Sequence, residues 1–406
     1  MVGIGADFYD DDVLKNYELK RRIGRGLYGL VWKAKIKSYP SSKPVAIKRM
    51  FNAFTNRVDA KRTYRELQYL LKFQDHPNIV SVHELLAGQN DVDMYIVMEH
   101  VDVDLAGIIP MNLQRIHIEY ITWQLLSALK YIHSASVVHR DIKPQNILVN
   151  PRCDIRLCDF GMARSVIPNE PDMLGPLPSD YALPKGEFHV ELTNYCSSRW
   201  YRAPEQLVQA RNYSTGIDMW ALGCVVGEMI QRKPIFPGTC TLSQLSLIVH
   251  LTGRPADHDL AGIRSRHVVP ILEGLGNSTQ GNLTDLVPNG TLESLDLIHL
   301  CLQFNPEKRV TAAEALGHPF VGHFHHPDEE APHSTFETGG IHLALSDDVQ
   351  YSVSAYRDRI YAELLGRGSL AAKIKKERLI KENGHRRPEF TTVVVDEFPR
   401  PSLFPN

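Results

Sequence analysis

The stretch between residues 139 and 161 carries side chains suited to handling phosphate. Asp141, Lys143 and Asn146 lie close together, and Asp159 follows thirteen residues after Asn146. Carboxylate and amide oxygens are ligands that magnesium prefers, so Asn146 and Asp159 are candidate magnesium ligands. A positioned carboxylate can take a proton from a hydroxyl group, which is the role predicted for Asp141. Lys143 is placed to face a phosphoryl group during its transfer.

A glycine-rich stretch and a lysine lie upstream of these residues. Gly24, Gly26 and Gly29 would let the backbone close over phosphate groups, where a Cβ would intrude. Lys48 can hold the α- and β-phosphates of a nucleotide as a point charge. Together these residues favour phosphoryl transfer, which requires mainly positioning and charge neutralisation.

The four segments, in this order, resemble the signature set of protein kinases. They are Gly24–Val31 (GRGLYGLV), Val45–Lys48 (VAIK), His139–Asn146 (HRDIKPQN) and Asp159–Gly161 (DFG). The resemblance implies an α+β, bilobal kinase fold, with a small antiparallel β-sheet lobe and a larger helical lobe. It also implies ATP and Mg²⁺ as cofactors. The alternative is a pseudokinase that keeps the fold without activity.

Residue patterns place the upstream motifs on strands and a helix. We predict two strands within 16–35 and one at 44–50, which carries Lys48. Helical spacing of apolar residues predicts a helix over 59–73. Glu66 falls within that helix and is the candidate partner that holds Lys48 against the nucleotide. A further apolar strand is predicted at 94–99.

The pattern becomes helical from about residue 114 onward. We predict an amphipathic helix over 118–133 and a largely apolar helix within 213–232, which should be buried all round. Residues 305–309 are expected to open the last helix of the larger lobe.

The predicted organisation follows the order of a kinase domain. The parts are an N-terminal tail (1–15), a small lobe (16–100), a large lobe (101–326), a C-terminal extension (327–365) and a basic, proline-containing tail (366–406). The large lobe includes an activation segment (159–205) and a helical insert (about 238–275).

Composition excludes several other classes of protein. The formal charge of −2 gives no reason to expect nucleic acid or a membrane as a partner. Residues 1–12 lack the basic start and the apolar core of a signal peptide, so none is expected, and no apolar run is long enough to span a bilayer. The six cysteines form no C-x-x-C pair, which fits a reducing cytoplasmic or nuclear compartment. A monomer is expected.

Residues after the kinase motifs carry a closer resemblance. Thr193-Asn194-Tyr195, followed by Arg199–Glu205 (RWYRAPE), resembles the activation lip of mitogen-activated protein kinases. The insert after Phe236 and the segment Tyr356–Tyr361 also resemble that family. Two further stretches, Phe51–Phe54 and Phe236–Leu245, look like the atypical extracellular-signal-regulated kinases, which activate themselves. The resemblance covers about residues 16–365.

The family resemblance implies a proline-directed serine/threonine kinase that is switched by phosphorylation of Thr193 and Tyr195. Five arginines match positions that bind these phosphates in related kinases. Arg65, Arg140 and Arg164 would collect the phosphothreonine, and Arg199 and Arg202 would collect the phosphotyrosine.

The same resemblance implies a set of nucleotide contacts. The expected ATP-binding residues, besides Lys48 and the glycines, are Ile23, Val31, Ala46 and Leu148 around the adenine, Met98 as the gatekeeper, Glu99 and Val101 in the hinge, and Asp104 at the ribose.

Acidic residues after the last helix of the large lobe form a candidate docking site. Asp328, Glu329 and Glu330 resemble the family's acidic site for basic docking motifs, which would serve substrates, an upstream kinase and phosphatases. The alternative is a cluster of solvated carboxylates.

Departures from the family leave the activator open. Asn194 stands where relatives usually have Glu, Gly or Pro, and the segment from about 167 to 191 is a proline-containing addition. A scaffold that binds partners and catalyses little is the alternative from another functional class. A cyclin-dependent kinase is the nearest enzyme alternative, but the Thr-x-Tyr lip and the insert argue against it.

Overall fold

A computed structural model describes most of the chain. The described residues are 10–26, 29–166, 199–210, 214–260, 263, 265, 267–275, 280–328, 330, 332–333, 340–346 and 349–367. The predictions for Thr193, Asn194, Tyr195 and Glu329, for the addition at 167–191 and for the tail from 368 onward therefore lie outside the described residues. The described residues divide into two compact units, which we call the small lobe (within 10–74, 80–101 and 350–367) and the large lobe (within 75–79 and 102–349).

The small lobe is built on a five-stranded antiparallel sheet with the order β1-β2-β3-β5-β4. Alternate residues of the strands pack into a core that includes Ile36, Ile47 and Val97, because successive side chains of a strand point to opposite faces. The strands are β1 (Tyr17–Gly26), β2 (Gly29–Ile36), β3 (Val45–Met50), β4 (Val82–Ala87) and β5 (Met94–Glu99), preceded by α1 (Asp11–Asn16).

One long helix, α2 (Arg57–Phe73), crosses the small lobe. The side-chain oxygen of Asn56 caps its N-terminus by accepting hydrogen bonds from the backbone of Val58 and Asp59, both at 3.0 Å, which satisfies donors that lack a partner within the helix. The C-terminal helix α13 (Val353–Arg367) packs on the same unit. The rings of Tyr64 and Tyr356 lie 5.5 Å apart, so α13 packs directly against α2.

The large lobe is mainly helical. Its elements are β6 (Val103–Asp104), α3 (Leu105–Ile108), α4 (Arg115–Ser134), β7 (Val137–Val138), β8 (Ile147–Val149), β9 (Ile155–Leu157), β10 (Arg164–Ser165), α5 (Pro204–Leu207), α6 (Gly216–Gln231), α7 (Thr241–Thr252), α8 (Asp257–Leu260), α9 (Val268–Gly274), α10 (Leu283–Leu286), α11 (Leu292–Cys301) and α12 (Ala312–Leu316). As predicted, the apolar helix α6 is buried on all sides from Gly216 to Met229.

The prediction for 305–309 is wrong in one respect. These residues form a single 3₁₀ turn, Pro306–Lys308, capped by the side chain of Asn305, and the last helix of the lobe is α12. Arg309 follows this turn directly, and its guanidinium forms two hydrogen bonds with Glu205 at 2.6 and 2.7 Å. Both side chains are almost fully buried.

The α+β bilobal kinase fold predicted from the motifs is confirmed. No helix among the described residues is long and apolar enough to cross a membrane.

Candidate active site

The small lobe places four predicted nucleotide-binding residues on one face of its sheet. Val31 lies opposite Lys48 in the β2–β3 pair, and Met98 lies opposite Ala46 in the β3–β5 pair. Directly opposed residues share a face of the sheet, and Ala46 and Lys48 are two residues apart on β3. These four side chains therefore share the face opposite the core side chain of Ile47.

Lys48 is held by the partner predicted for it. Its Nζ lies 2.5 Å from Oε1 of Glu66 on α2, and the two side chains are 19% and 5% exposed. Burial strengthens such a pair relative to one in water, and it fixes the ammonium group on the sheet face described above.

The glycines of the β1–β2 turn have different structural requirements. A Cβ at Gly29 would lie 2.0 Å from the carbonyl oxygen of Arg49 on β3, so only glycine fits where the strands approach. A Cβ at Gly24 would meet Val31 at 3.4 Å, which is an ordinary contact. Gly26 pairs with Gly29 across the turn, and Ile23 lies at an irregularity of β1 between Arg22 and Gly24.

The large lobe brings Asp141, Lys143 and Asn146 together in the loop between β7 and β8. The ammonium group of Lys143 donates to Oδ2 of Asp141 at 2.6 Å. The amide nitrogen of Asn146 donates to the same oxygen at 3.0 Å and to the Asp141 carbonyl at 2.8 Å. The carboxylate of Asp141 is therefore held by two donors, as a positioned base requires.

Asp159 lies within electrostatic reach of this loop. Burial acts to lower the pKa of Lys143, but the carboxylates of Asp141 and Asp159 outweigh it and raise the pKa. The backbone N–H of Cys158 donates to the carbonyl of Asn146 at 3.0 Å, which fixes the residue before Asp159 beside the loop.

The side-chain oxygens of Asn146 and Asp159 are suited to binding the magnesium ion that kinases use. The NH₂ group of Asn146 donates to Asp141, so the amide oxygen of Asn146 is oriented away from the Asp141 carboxylate. A neutral amide oxygen and the carboxylate of Asp159 form a hard-oxygen donor set of the kind magnesium prefers.

Asp218 was not among the predicted site residues, but it organises the loop that carries Asp141. This fully buried carboxylate on α6 accepts hydrogen bonds from the backbone of His139 and Arg140, both at 2.8 Å, and from His133 at 2.9 Å. Arg140 has a positive φ of 69°, a strained conformation that persists only where its surroundings enforce it. Burial acts to raise the pKa of Asp218, but these hydrogen bonds lower it, so it stays ionised. The available signal was an acidic residue at the start of a largely apolar helix.

Two predicted nucleotide residues of the large lobe lie side by side. Asp104 pairs with Leu148 across β6 and β8. The carboxylate of Asp104 also caps α3, by accepting from the Gly107 backbone at 2.9 Å. In the small lobe, the side chain of Glu99 accepts from the Ser81 backbone at 3.0 Å, which fixes the end of β5 before Val101.

The predicted phosphate-binding arginines are placed separately by the two lobes. Arg65 is a buried residue of α2. Arg140 and Arg164 are both buried in the large lobe. Arg164 lies on β10 and pairs with Val138 of β7, two residues before Arg140. Arg199 donates to the carbonyl of Thr239 at 3.1 Å, and Arg202 is half-buried.

The end of the activation segment is anchored to α6. The hydroxyl of Tyr201 donates to Oε2 of Glu228 at 2.6 Å. Burial raises the pKa of Glu228 to about 7, although the Tyr201 hydrogen bond opposes this shift. Because the folded pKa exceeds the ordinary value of 4.5, the folded state holds this proton more tightly, and the resulting stability is lost as the pH rises through about 7.

We therefore expect Glu228→Gln to stabilise the protein at alkaline pH. Glutamine is neutral and keeps an acceptor for Tyr201. At pH 8 the variant should exceed the wild type by up to about 3 kcal/mol in free energy of unfolding, and this gain should shrink towards pH 5. Thermal unfolding between pH 5 and 8 measures it. A gain that does not change with pH would show that Glu228 does not titrate in this range.

The structure corrects the docking prediction for Glu330. This residue is 2% exposed and does not form part of an acidic surface. Its carboxylate accepts hydrogen bonds from the indole of Trp123 at 2.7 Å and pairs with His325 at 2.8 Å. A buried carboxylate needs such partners, and these partners tie the segment after α12 to α4. Asp328 is exposed, as a docking residue should be.

Comparison with known families assigns the class of this protein. The protein kinase domain family matches residues 17–321, three quarters of the chain. Together with the bilobal fold and the loop around Asp141, this match defines a protein kinase.

Similar proteins narrow the assignment. Extracellular signal-regulated kinase 2 of Dictyostelium discoideum is 41% identical over 389 residues, covering 96% of this chain and 98% of that protein. Mitogen-activated protein kinase 15 of Xenopus laevis is 40% identical over 373 residues, and that of Rattus norvegicus is 42% identical over 361 residues. These alignments cover 91% and 88% of this chain, but only 60% and 62% of the two relatives. The chain belongs to the mitogen-activated protein kinase family and is a protein serine/threonine kinase. The family prediction is confirmed, as is the resemblance to the atypical extracellular-signal-regulated kinases.

Proposed function

We propose that this kinase transfers the γ-phosphoryl group of Mg-ATP to serine or threonine residues that precede proline. The loop geometry carries the proposal, since Lys143 and Asn146 hold the Asp141 carboxylate. The substrate hydroxyl oxygen attacks the γ-phosphorus, the bond to ADP breaks, and Asp141 takes up the hydroxyl proton.

The remaining residues neutralise charge and position the nucleotide. Lys143 faces the transferring group, and Lys48, held by Glu66, binds the α- and β-phosphates. Asn146 and Asp159 hold magnesium, which when bound offsets the negative charge of the phosphates. Asp218 acts through the backbone of the loop and is a positioning residue.

We expect a positional peptide library to show strong selection for proline immediately after the phosphorylated residue. The reason is the lip at 199–205, which resembles that of proline-directed kinases. The Asp141→Asn protein, purified identically, controls for a contaminating kinase. An absence of selection at that position in active wild-type protein would refute proline direction.

The activity is further proposed to be switched by phosphorylation of Thr193 and Tyr195, carried out by the kinase itself. Two phosphates would add about three to four negative charges. The arginines at 65, 140, 164, 199 and 202 supply positive charge for these groups.

Mass spectrometry of protein expressed alone in bacteria tests this switch. Both sites should be occupied in the wild type and empty in Asp141→Asn. The double variant Thr193→Ala, Tyr195→Phe should lose most activity. Full activity of the double variant would rule out the switch, whereas empty sites in an active wild type would rule out only self-phosphorylation.

Partners and location complete the proposal. Protein substrates and regulators with basic motifs would dock on Asp328 and Glu329, with Glu330 now excluded by its burial. We place the protein in the cytoplasm and nucleus, where its scattered cysteines would stay reduced. No disulfide bond links the five cysteines that the structure describes.

A further inference from the structure

A buried glutamine ties the end of the activation lip to the start of the helical insert. Gln244, on α7, has no exposed surface. Its Oε1 accepts a hydrogen bond from the backbone N–H of Gly238 at 3.0 Å, and its Nε2 donates to the carbonyl of Trp200 at 3.3 Å. One side chain thus bridges the backbones of two segments that are 38 residues apart.

The turn at Gly238 approaches this glutamine too closely to accept any side chain. A Cβ at Gly238 would lie 2.5 Å from Oε1 and 2.6 Å from Cα of Gln244. The same close approach brings the Gly238 carbonyl to the indole N–H of Trp200, which donates to it at 3.1 Å. Trp200 is therefore held through both its backbone and its ring.

Other contacts fix the lip on the C-terminal side of Trp200. The hydroxyl of Tyr201 donates a hydrogen bond to Glu228, and the backbone N–H of Ala203 donates to Oε1 of Gln206 at 3.0 Å. These anchors would survive the loss of Gln244. The hydrogen bonds around Gln244 instead fix the backbone at Trp200, near the start of the described part of the lip.

We infer that Gln244 is a positioning residue that sets the preference for proline after the phosphorylated residue. It acts through Trp200, and the inference rests on the proposed proline direction. Proline has no backbone N–H and a fixed φ, so a lip selects it by shape and by withholding hydrogen-bond acceptors. If the Trp200 carbonyl loses its partner, the lip backbone can rotate and offer a carbonyl to the N–H of any other residue. Proline then loses its advantage.

A pair of peptides that differ only by proline or alanine after the target serine tests the inference. The ratio of their kcat/KM values is measured for the wild type, Gln244→Leu and Gln244→Met, below the unfolding midpoint of each. We expect Gln244→Leu to lower the proline-to-alanine ratio at least about fivefold, because it removes two hydrogen bonds. Gln244→Met removes the same two hydrogen bonds with an unbranched side chain, so it provides a second variant if Gln244→Leu does not fold.

Gln124→Leu is the matched control. Gln124 is another almost fully buried glutamine of the large lobe, and its amide donates to the Cys153 carbonyl at 2.7 Å and accepts from the Ile155 backbone at 3.0 Å. The Gln124 side chain also accepts from the Asn78 side chain at 2.9 Å and donates to the Tyr120 carbonyl at 3.3 Å. Its loss should therefore lower stability at least as much as the loss of Gln244, without changing the ratio.

Each outcome has a distinct meaning. A lower ratio in a folded Gln244 variant, with an unchanged ratio in Gln124→Leu, supports the inference. A wild-type ratio retained in the Gln244 variants, or an equal decrease in Gln124→Leu, overturns it while proline direction stands. A wild type without preference for proline overturns the proposed proline direction itself.

Discussion

Asp141→Asn is expected to lower kcat by about 10²–10⁴-fold while leaving the affinity for ATP unchanged. The substitution removes the proton acceptor but keeps the size of the side chain. The hydrogen bonds from Lys143 and Asn146 converge on Oδ2 of Asp141, so the loop should keep its conformation. Steady-state phosphorylation of a generic basic substrate and equilibrium binding of a fluorescent ATP analogue measure the two effects.

Asp154→Asn provides a control, because Asp154 is a carboxylate of the same lobe, between β8 and β9, that accepts a hydrogen bond from the side chain of Asn150 at 2.9 Å. This control should retain nearly full activity. If Asp141→Asn stayed within a factor of two or so of the wild type, Asp141 would not be the base. A loss of ATP binding together with activity would indicate a disordered loop.

Lys48→Met should abolish phosphoryl transfer and also destabilise the small lobe. The methionine cannot hold phosphates, and it leaves the carboxylate of Glu66, whose side chain is 5% exposed, buried without its partner. Breaking a buried ion pair on one side typically costs about 3–5 kcal/mol of unfolding free energy.

The double variant Lys48→Met, Glu66→Leu separates these two effects. Removing both charges should restore most of the lost stability, since no unpaired carboxylate remains, yet activity should stay absent. Thermal unfolding and phosphate incorporation are the measurements. Activity in Lys48→Met would mean that another lysine anchors the phosphates, and a double variant as unstable as the single one would mean that the Lys48–Glu66 pair is not the source of the instability.

Local patterns predicted the elements that carry the chemistry. The strand at 94–99 was predicted with its observed bounds, and the helix carrying Glu66 begins only two residues earlier than predicted. These predictions succeeded because strand and helix periodicities are visible within a short window of sequence.

Contacts between distant parts of the chain could not be predicted in this way. Asp218 was visible as an acidic residue at the start of a largely apolar helix, but its hydrogen bond to the His139 backbone spans 79 residues. Glu330 was predicted to be one of three exposed acidic residues. In the structure its Oε1 lies 2.7 Å from the indole nitrogen of Trp123 on α4. In both cases the role of the carboxylate depends on which distant donors reach it, and no local pattern encodes this.

The close approach of β2 and β3 at Gly29 determines which glycine would be lost in a related sequence that no longer catalyses phosphoryl transfer. Gly29 is required by the carbonyl of Arg49, whether or not ATP binds. A gene copy released from selection for nucleotide binding could acquire alanine at Gly24 without steric conflict, but it would have to keep glycine at 29 in order to fold. The presence of Gly29 therefore indicates only that the sheet can fold. Gly24 is the better marker of a functioning enzyme.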